Sequence, residues 1–117
     1  MFAVTVGAAL TVSAMTFAQT DLRMWVKVGE GLRRTCPSLD CGIVGTFFPG
    51  ESVVIHESLN GWMRVSDYYS AGCYEGRSSY VESGPNGCTA ENGIQDGEFA
   101  EWMRAETLSP QEADARG

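Results

Sequence analysis

Four cysteines constrain the fold of this 117-residue chain more than any other feature of its sequence. They are arranged with the spacings C-x4-C, from Cys36 to Cys41, and C-x14-C, from Cys73 to Cys88. In a small exported chain, an even number of cysteines is typical of a disulfide framework. Four cysteines allow three pairings, and the sequence alone leaves them open. Local pairing, Cys36 with Cys41 and Cys73 with Cys88, is the most economical of them.

Zinc coordination is the competing interpretation of the same cysteines. Structural zinc sites usually contain tighter C-x2-C knuckles, and the chain has a single histidine, His56. The spacing therefore favours two disulfides over a metal centre. We predict no metal site and no cofactor.

The N-terminal segment indicates the compartment. Residues 1–20 carry no charge and form an apolar run that ends in small residues at Ala18, which is typical of a signal peptide and its cleavage site. A membrane anchor or a buried helix is the alternative. An anchor usually needs about 20 apolar residues, whereas Thr, Ser and Gly interrupt this run. We therefore predict a signal peptide over residues 1–18, a periplasmic or secreted location, and no stable membrane insertion after cleavage.

The charge of the chain excludes two classes of partner. It has 15 acidic and 8 basic side chains, a net charge of −7, and the basic residues are scattered. Nucleic acids and anionic lipids both require a clustered basic face, so we predict neither as a partner. A cationic partner is compatible with this charge, although an acidic surface also simply keeps a protein soluble.

Short apolar runs separated by turn signals predict a mostly β domain. In the run ESVVIHESLNGWMRV, Val53 and Ile55 are expected to face one side of a strand, with Val54 and His56 on the other. Asn60-Gly61 in the same run predicts a β-hairpin. The polar tail, residues 110–117, is predicted to be disordered.

A segment of about 30 residues, about 68–97, interrupts the pattern of short apolar runs and turns, and it is rich in Gly, Ser and Tyr. Hairpin loops usually take about 2–5 residues, so this segment is an insert rather than a turn. It contains two of the cysteines, and a bond that closes a loop of about fifteen residues contributes roughly 3 kcal/mol in the chain-entropy model. We therefore predict an ordered insert that is closed by a disulfide.

Several short motifs, in their order and spacing, resemble the bacterial SH3-like (SH3b) domain family. That family has a Leu-x-x-Arg-x-x-Pro-Ser start, a run of the type x-Val-Ile-Gly-x-Leu-x-x-Gly, and a strand that ends in Asn-Gly-Trp. The residues that fall on these elements are Leu32, Arg34, Pro37, Ser38, Ile43, Val44, Gly45, Phe47, Gly50, Asn60, Gly61 and Trp62.

The end of the chain extends the resemblance. GEFAEWMRAETL is similar to the closing SH3b motif Gly-x-x-Gly-Trp-Val-x-x-x-Tyr-Leu, with Trp102 at the tryptophan and Leu108 at the last leucine. The resemblance covers about residues 22–109 and implies a small SH3-like β-barrel, from which the insert departs. It also implies a long exposed loop after the first strand, which a Cys36–Cys41 bond would close around Pro37-Ser38.

No catalytic constellation stands out in the sequence. A nucleophile–base pair needs His beside Cys or Ser with an orienting group, and His56 loses its thiol partner if all four cysteines form disulfides. ENGIQDGEFAE fails the calcium-loop pattern, because Ile94 and Met103 stand where ligands belong. We predict that the protein is not an enzyme.

A binding site would have to be built from loops, because most inward positions of a small barrel fill the core. The two long loops, residues 35–41 and 68–97, are predicted to be covalently restrained, which lowers the entropy lost on binding. Tyrosine and arginine are enriched at binding hot spots, and the predicted binding residues are Tyr68, Tyr69, Tyr74, Arg77 and Tyr80. The alternative is that these tyrosines pack the insert against the barrel. Trp62 and Trp102 are expected to be structural.

These features predict an exported, non-catalytic SH3b-type binding module. Its partner would be a peptide, a cell-wall fragment or an envelope protein. One alternative is a small inhibitor of a cationic envelope-directed enzyme such as a lysozyme. Another is a structural subunit of an envelope assembly.

Overall fold

The computed structural model describes residues 22–27, 29 and 31–112. The predicted signal peptide, residues 1–18, lies outside the described residues, and so do residues 113–117 of the predicted tail.

Twelve short strands make up most of the regular structure in the described residues. They are β1 (Arg23–Val26), β2 (Gly31–Arg34), β3 (Ile43–Phe47), β4 (Ser52–Val54), β5 (Glu57–Leu59), β6 (Trp62–Arg64), β7 (Tyr69–Ser70), β8 (Cys73–Tyr74), β9 (Arg77–Ser78), β10 (Glu98–Phe99), β11 (Trp102–Arg104) and β12 (Leu108–Ser109). Two single 3₁₀ turns, Ala90–Asn92 and Ala105–Thr107, accompany them. The prediction of a mostly β fold is confirmed.

The strands form two main antiparallel sheets. The larger has five strands in the order β3-β2-β11-β6-β5, and the smaller has three in the order β12-β1-β4. Two further ribbons, β8–β9 and β7–β10, involve the insert. The strand pairings leave the two main sheets separate, and no closed barrel is detected in the described part of the chain. The SH3-like barrel therefore stays a prediction.

A first hydrophobic core lies between the two main sheets. Val26, Val53 and Leu108 come from the three-stranded sheet, and Met103 comes from the five-stranded sheet. Val26 and Met103 are completely buried. Since both sheets contribute to this one cluster, burial of apolar surface stabilises their association.

The strand that contains Val53 follows the predicted alternation. Val53 and Ile55 are buried, Val54 is half-buried, and His56 is exposed. Successive side chains of a strand point to opposite faces, so only every second residue reaches the core.

The hairpin predicted at Asn60-Gly61 is confirmed. This pair joins β5 to β6, which begins at Trp62, and Leu59 and Trp62 are directly opposite each other. Asn60 has φ of 50° and Gly61 has φ of 87°. Positive φ at both central residues is what a type I′ turn requires, and Asn-Gly adopts it at the lowest steric cost.

The insert folds around a second hydrophobic cluster. Ala71 and Ile94 of the insert pack with Val44 of β3 and Phe99 of β10, and all four are buried. The insert is therefore built onto the five-stranded sheet through apolar contacts with strand β3.

Both disulfides are present, and the local pairing is confirmed. Cys36 is bonded to Cys41, and Cys73 is bonded to Cys88. The first bond closes a loop of five positions and the second closes fifteen. Each of the two long loops thus carries its own crosslink.

Candidate binding site

A single buried side chain, that of Asn92, joins the two disulfide-closed loops. Its Oδ1 accepts hydrogen bonds from the Gly42 N–H at 2.9 Å and from the Thr35 hydroxyl at 3.1 Å. Its Nδ2 donates to the carbonyl oxygens of Pro85 at 2.9 Å and Gly87 at 3.1 Å. Both ends of the amide are therefore satisfied, and the 35–41 loop is fixed against the insert.

Gly93, the next residue, allows the insert to approach the 35–41 loop closely. It has φ of 80°, and a Cβ at this position would collide with the carbonyl oxygen of Thr35 and the Cβ of Cys36. Only glycine suits both the backbone conformation and the available space.

Arg34 supports the other half of the 35–41 loop. Its Nη1 donates hydrogen bonds to the carbonyl oxygens of Leu39 at 3.1 Å and Cys41 at 2.8 Å. Together with the Cys36–Cys41 bond, these contacts leave the loop little freedom to move.

A groove of about 420 Å³ opens between the 35–41 loop, strand β5 and the insert. Its apolar lining comes from Pro37, Leu59, Tyr68 and Trp102. Tyr68 is 54% exposed and Leu59 is 42% exposed, whereas Trp102 is almost wholly buried. The groove therefore offers accessible aromatic and aliphatic surface beside a rigid indole.

The polar lining of this groove is acidic. Glu57, Asp96 and Glu98 contribute carboxylates to it. Glu57 forms an ion pair with Arg64, whose Nε lies 2.9 Å from Glu57 Oε1. Within the described part of the chain, the carboxylates of Asp96 and Glu98 have neither a hydrogen bond nor an ion pair. The negative charge on the insert side of the groove is thus uncompensated.

Asp96 and Glu98 are held in place by a tight turn. Gln95 and Glu98 exchange backbone hydrogen bonds of 3.0 Å and 2.9 Å, and the two residues between them, Asp96 and Gly97, have φ of 54° and 76°. This is the positive-φ signature of a two-residue hairpin turn. The turn fixes the backbone from which both carboxylates project.

A half-buried polar cluster attaches the start of the insert to the five-stranded sheet. The Tyr69 hydroxyl donates a 2.6 Å hydrogen bond to Glu101 Oε2, and Arg33 Nη1 donates a 2.9 Å bond to Glu101 Oε1. Burial, followed by the hydrogen bond to Glu101, raises the pKa of Tyr69 well above its usual value of 10.0. The Tyr69 hydroxyl therefore stays protonated, and its hydrogen bond to Glu101 attaches the start of the insert to the sheet.

The five predicted binding residues do not form one surface in the groove. Tyr68 lines it. Tyr69 is half-buried, and its ring centroid lies 4.9 Å from that of Phe99 and 6.1 Å from that of Tyr80. The remaining two, Tyr74 and Arg77, are exposed and face each other across the β8–β9 hairpin.

The sequence reasoning missed the acidic half of the groove and the residue that organises it. Glu57, Asp96 and Glu98 look like ordinary surface acids in the sequence, and Asn92 looks like a loop residue. One signal was available for the acids on the insert. Asp96-Gly97 is an Asp-Gly pair, which is a hairpin signal of the same kind as Asn60-Gly61.

His56 lies apart from these features. Its Nδ1 is 3.6 Å from Asp67 Oδ1, and the Asp67 side chain is 90% exposed. All four cysteines are in disulfides. Among residues 22–27, 29 and 31–112, no three His, Cys, Asp or Glu side chains come together in a way that could hold a metal ion.

Comparison with models of protein families, with curated proteins and with solved structures finds no match to this chain. In the part of the chain that the structure describes, no helix has the length and apolar character needed to cross a membrane.

Proposed function

We propose that this chain is an exported, non-catalytic binding module of the SH3b type, with an SH3-like barrel that carries an insert. It recognises a peptide, a cell-wall fragment or an envelope protein through the groove between the 35–41 loop and the insert. The observation that carries this proposal is the position of the groove, which lies between the disulfide-closed 35–41 loop and the two ends of the insert.

Preorganisation is the physical reason why this groove suits recognition. Ordering a loop on binding costs free energy, and a loop that is already fixed avoids that cost. Here the Cys36–Cys41 bond, the four hydrogen bonds of Asn92 and the close packing at Gly93 fix the 35–41 loop against the insert. A small surface on a small domain can then reach useful affinity.

The barrel is supported by the way the main sheets share one core. Val26 and Met103, from different sheets, are packed together at zero exposure. The SH3b motifs are consistent with this arrangement, since the matching tryptophan, Trp102, lies in the central strand β11.

The absence of catalysis is supported by the state of the reactive side chains. The thiols are in disulfides. His56 lies beside the exposed carboxylate of Asp67 rather than beside a nucleophile, and the Tyr69 hydroxyl donates its proton in a hydrogen bond to Glu101. The periplasmic or secreted location is supported by the two disulfides, which form and persist in oxidising compartments.

A second candidate function is inhibition of a cationic envelope-directed enzyme such as a lysozyme. The observation that favours it is the uncompensated charge of Asp96 and Glu98 in the groove of a chain with net charge −7. An assay of lysozyme activity on cell walls with increasing amounts of the protein tests this candidate. Unchanged activity at a large molar excess of the protein would contradict it.

Affinity capture with a groove variant tests the main proposal. Leu59→Arg places a long charged side chain on the wall of the groove, and Leu22→Arg makes the same change at a residue that is 52% exposed and does not line it. We expect the wild type and Leu22→Arg to capture the same partner from the native envelope fraction, and Leu59→Arg to lose it. Capture of the same partners by Leu59→Arg would contradict a binding role for the groove.

A further inference from the structure

We propose that the groove binds the positively charged side chain of a lysine or arginine that is presented by a partner protein. This inference rests on the proposed function and specifies the chemistry of the ligand. It arises from three features of the groove, namely its unpaired carboxylates, its exposed apolar wall, and a guanidinium that the same wall already holds.

The charge of the groove selects a cation. Asp96 and Glu98 line it without an ion pair or hydrogen bond to their carboxylates from any described residue. Both residues are exposed, so a positive charge placed beside them gains an attraction that added salt screens. A phosphate or a carboxylate ligand would instead meet like charge.

The apolar wall suits the stem of a long basic side chain. Lysine and arginine bury their methylene groups along apolar surface while the charged end reaches polar groups. Leu59 and Tyr68 are exposed beside the carboxylates and provide such a surface. A small inorganic cation would make no use of this wall, and the described residues hold no cluster of three potential metal ligands.

One wall of the groove already holds a positively charged side chain of the protein itself, that of Arg64. The guanidinium carbon of Arg64 lies 4.9 Å from the centroid of the Tyr68 ring, and its Nε bonds to Glu57 at 2.9 Å. Glu57 and Tyr68 both line the groove. An aromatic face combined with a carboxylate is therefore an established cation site at this wall. Asp96 and Glu98 also contribute carboxylates to the groove, but, unlike Glu57, they are not paired with an arginine or lysine among the described residues.

The net charge of the chain favours a protein as the source of this side chain. A charge of −7 attracts a cationic surface over a larger area than the groove alone. A folded basic protein can use that attraction across its whole face, whereas a short cell-wall peptide contacts only the groove. At about 420 Å³, the groove accommodates one side chain and its neighbours rather than a domain.

Titration with minimal ligands, followed by NMR of the isotope-labelled full chain, tests the ligand chemistry. The probes are Nα-acetyl-lysinamide, Nα-acetyl-argininamide and Nα-acetyl-norleucinamide, a neutral analogue that keeps the four side-chain carbons of lysine without the ammonium group. We expect the two basic probes to shift the Trp102 indole and the Gly93 and Gln95 amide signals in a saturable way. They should bind roughly threefold or more tightly than norleucinamide, and raising the salt from about 50 mM to about 0.5 M should remove most of the difference.

The matched variants separate the groove from general electrostatics. Asp96→Asn with Glu98→Gln removes both charges while keeping the side-chain sizes, and asparagine tolerates the positive φ at position 96. Glu75→Gln with Glu82→Gln makes the same charge change at exposed residues outside the groove, and neither residue is in an ion pair with a described residue. We expect the first pair to weaken binding of the basic probes by roughly fivefold or more, and the control pair to change it by less than roughly twofold.

Three outcomes would each overturn the assignment of a cation as the ligand. They are equal binding of norleucinamide and lysinamide, no shift of the groove signals, and equal effects of the two variant pairs. In those cases the proposed function would still stand if Leu59→Arg abolished partner capture. Binding to protein-free cell-wall sacculi that is lost in the Asp96→Asn/Glu98→Gln variant would overturn the choice of a protein as the source. Loss of a captured protein on addition of free Nα-acetyl-lysinamide would support it.

Discussion

Thr35 and Asn92 lie 57 positions apart in the chain, yet their side chains form a 3.1 Å hydrogen bond inside the protein. Thr35 is 1% exposed and Asn92 is 4% exposed. This bond belongs to the network that joins the 35–41 loop to the insert, and the groove lies where those two loops meet.

Replacing Asn92 by alanine is expected to lower the free energy of unfolding by about 3 kcal/mol. The change leaves the Gly42 N–H and the Thr35 hydroxyl without their buried acceptor, and each buried unsatisfied group costs roughly 1–3 kcal/mol. Urea unfolding checks the value. Asn86→Ala, at an exposed residue of the same loop, is the control and should change stability by less than about 0.5 kcal/mol. Similar midpoints for the two variants would refute the structural role given to Asn92.

A methyl group at Gly93 should be far more costly than one at Gly97. The two residues have similar φ, 80° and 76°, so Gly→Ala meets the same left-handed penalty of about 1–2 kcal/mol at both. A Cβ at Gly93 also collides with Thr35 and Cys36, whereas a Cβ at Gly97 has nothing within 4 Å. We expect Gly93→Ala to be the less stable variant by about 2 kcal/mol or more in thermal unfolding. Equal melting temperatures would show that the close approach is not required.

The protein is expected to contain no free thiol before reduction, and reduction should lower its melting temperature by many degrees. Thiol titration of the denatured, unreduced protein checks the first statement. Removal of each bond by mutation checks the second statement. Cys73→Ala/Cys88→Ala is expected to lower the free energy of unfolding by roughly 3 kcal/mol, and Cys36→Ala/Cys41→Ala by roughly 2 kcal/mol, because the Cys73–Cys88 bond closes the longer loop. Two or more reactive thiols per chain, or a melting temperature unaffected by reduction, would contradict this.

Alkaline pH should destabilise the wild type more steeply than Tyr69→Phe. The pKa of Tyr69 is raised in the folded state by burial and by Glu101. The unfolded chain therefore loses this proton first, near pH 10. The contribution of Tyr69 is complete below that pH and declines as the pH rises above it, since the unfolded state then binds fewer protons. Unfolding midpoints between about pH 8 and about pH 11 measure the two slopes. Parallel slopes would mean that Tyr69 is not buried in this way.

Alanine substitutions in the predicted binding residues should separate packing from recognition. Tyr68→Ala is expected to weaken binding of the captured partner by about 1–2 kcal/mol and to leave the melting temperature nearly unchanged. Tyr69→Ala should lower both, because its ring and hydroxyl hold the insert. Calorimetry with the captured partner and thermal unfolding of all five variants, at Tyr68, Tyr69, Tyr74, Arg77 and Tyr80, supply the two readouts. The prediction fails if no variant loses binding, or if stability and binding fall together in every one.

Local sequence was sufficient for the features that depend on neighbouring residues. The Asn60-Gly61 hairpin follows from the steric freedom of those two residues, and the alternation at Val53 and Ile55 follows from the period of a strand. The disulfide pairing was also predicted correctly as the local one among three possibilities. In each case the residues that interact are close in the sequence or repeat with a fixed period.

Tertiary structure alone decided which side chains line the groove and which of the adjacent tyrosines is buried. Tyr68 and Tyr69 are equivalent in the sequence, but the packing of the insert turns Tyr69 toward Glu101, 32 positions away, and leaves Tyr68 exposed at the groove. Glu57 joins Asp96 and Glu98 only because strand β5 and the insert meet at the 35–41 loop. Such contacts depend on how separate segments pack in space, and neither turn chemistry nor strand periodicity encodes that packing.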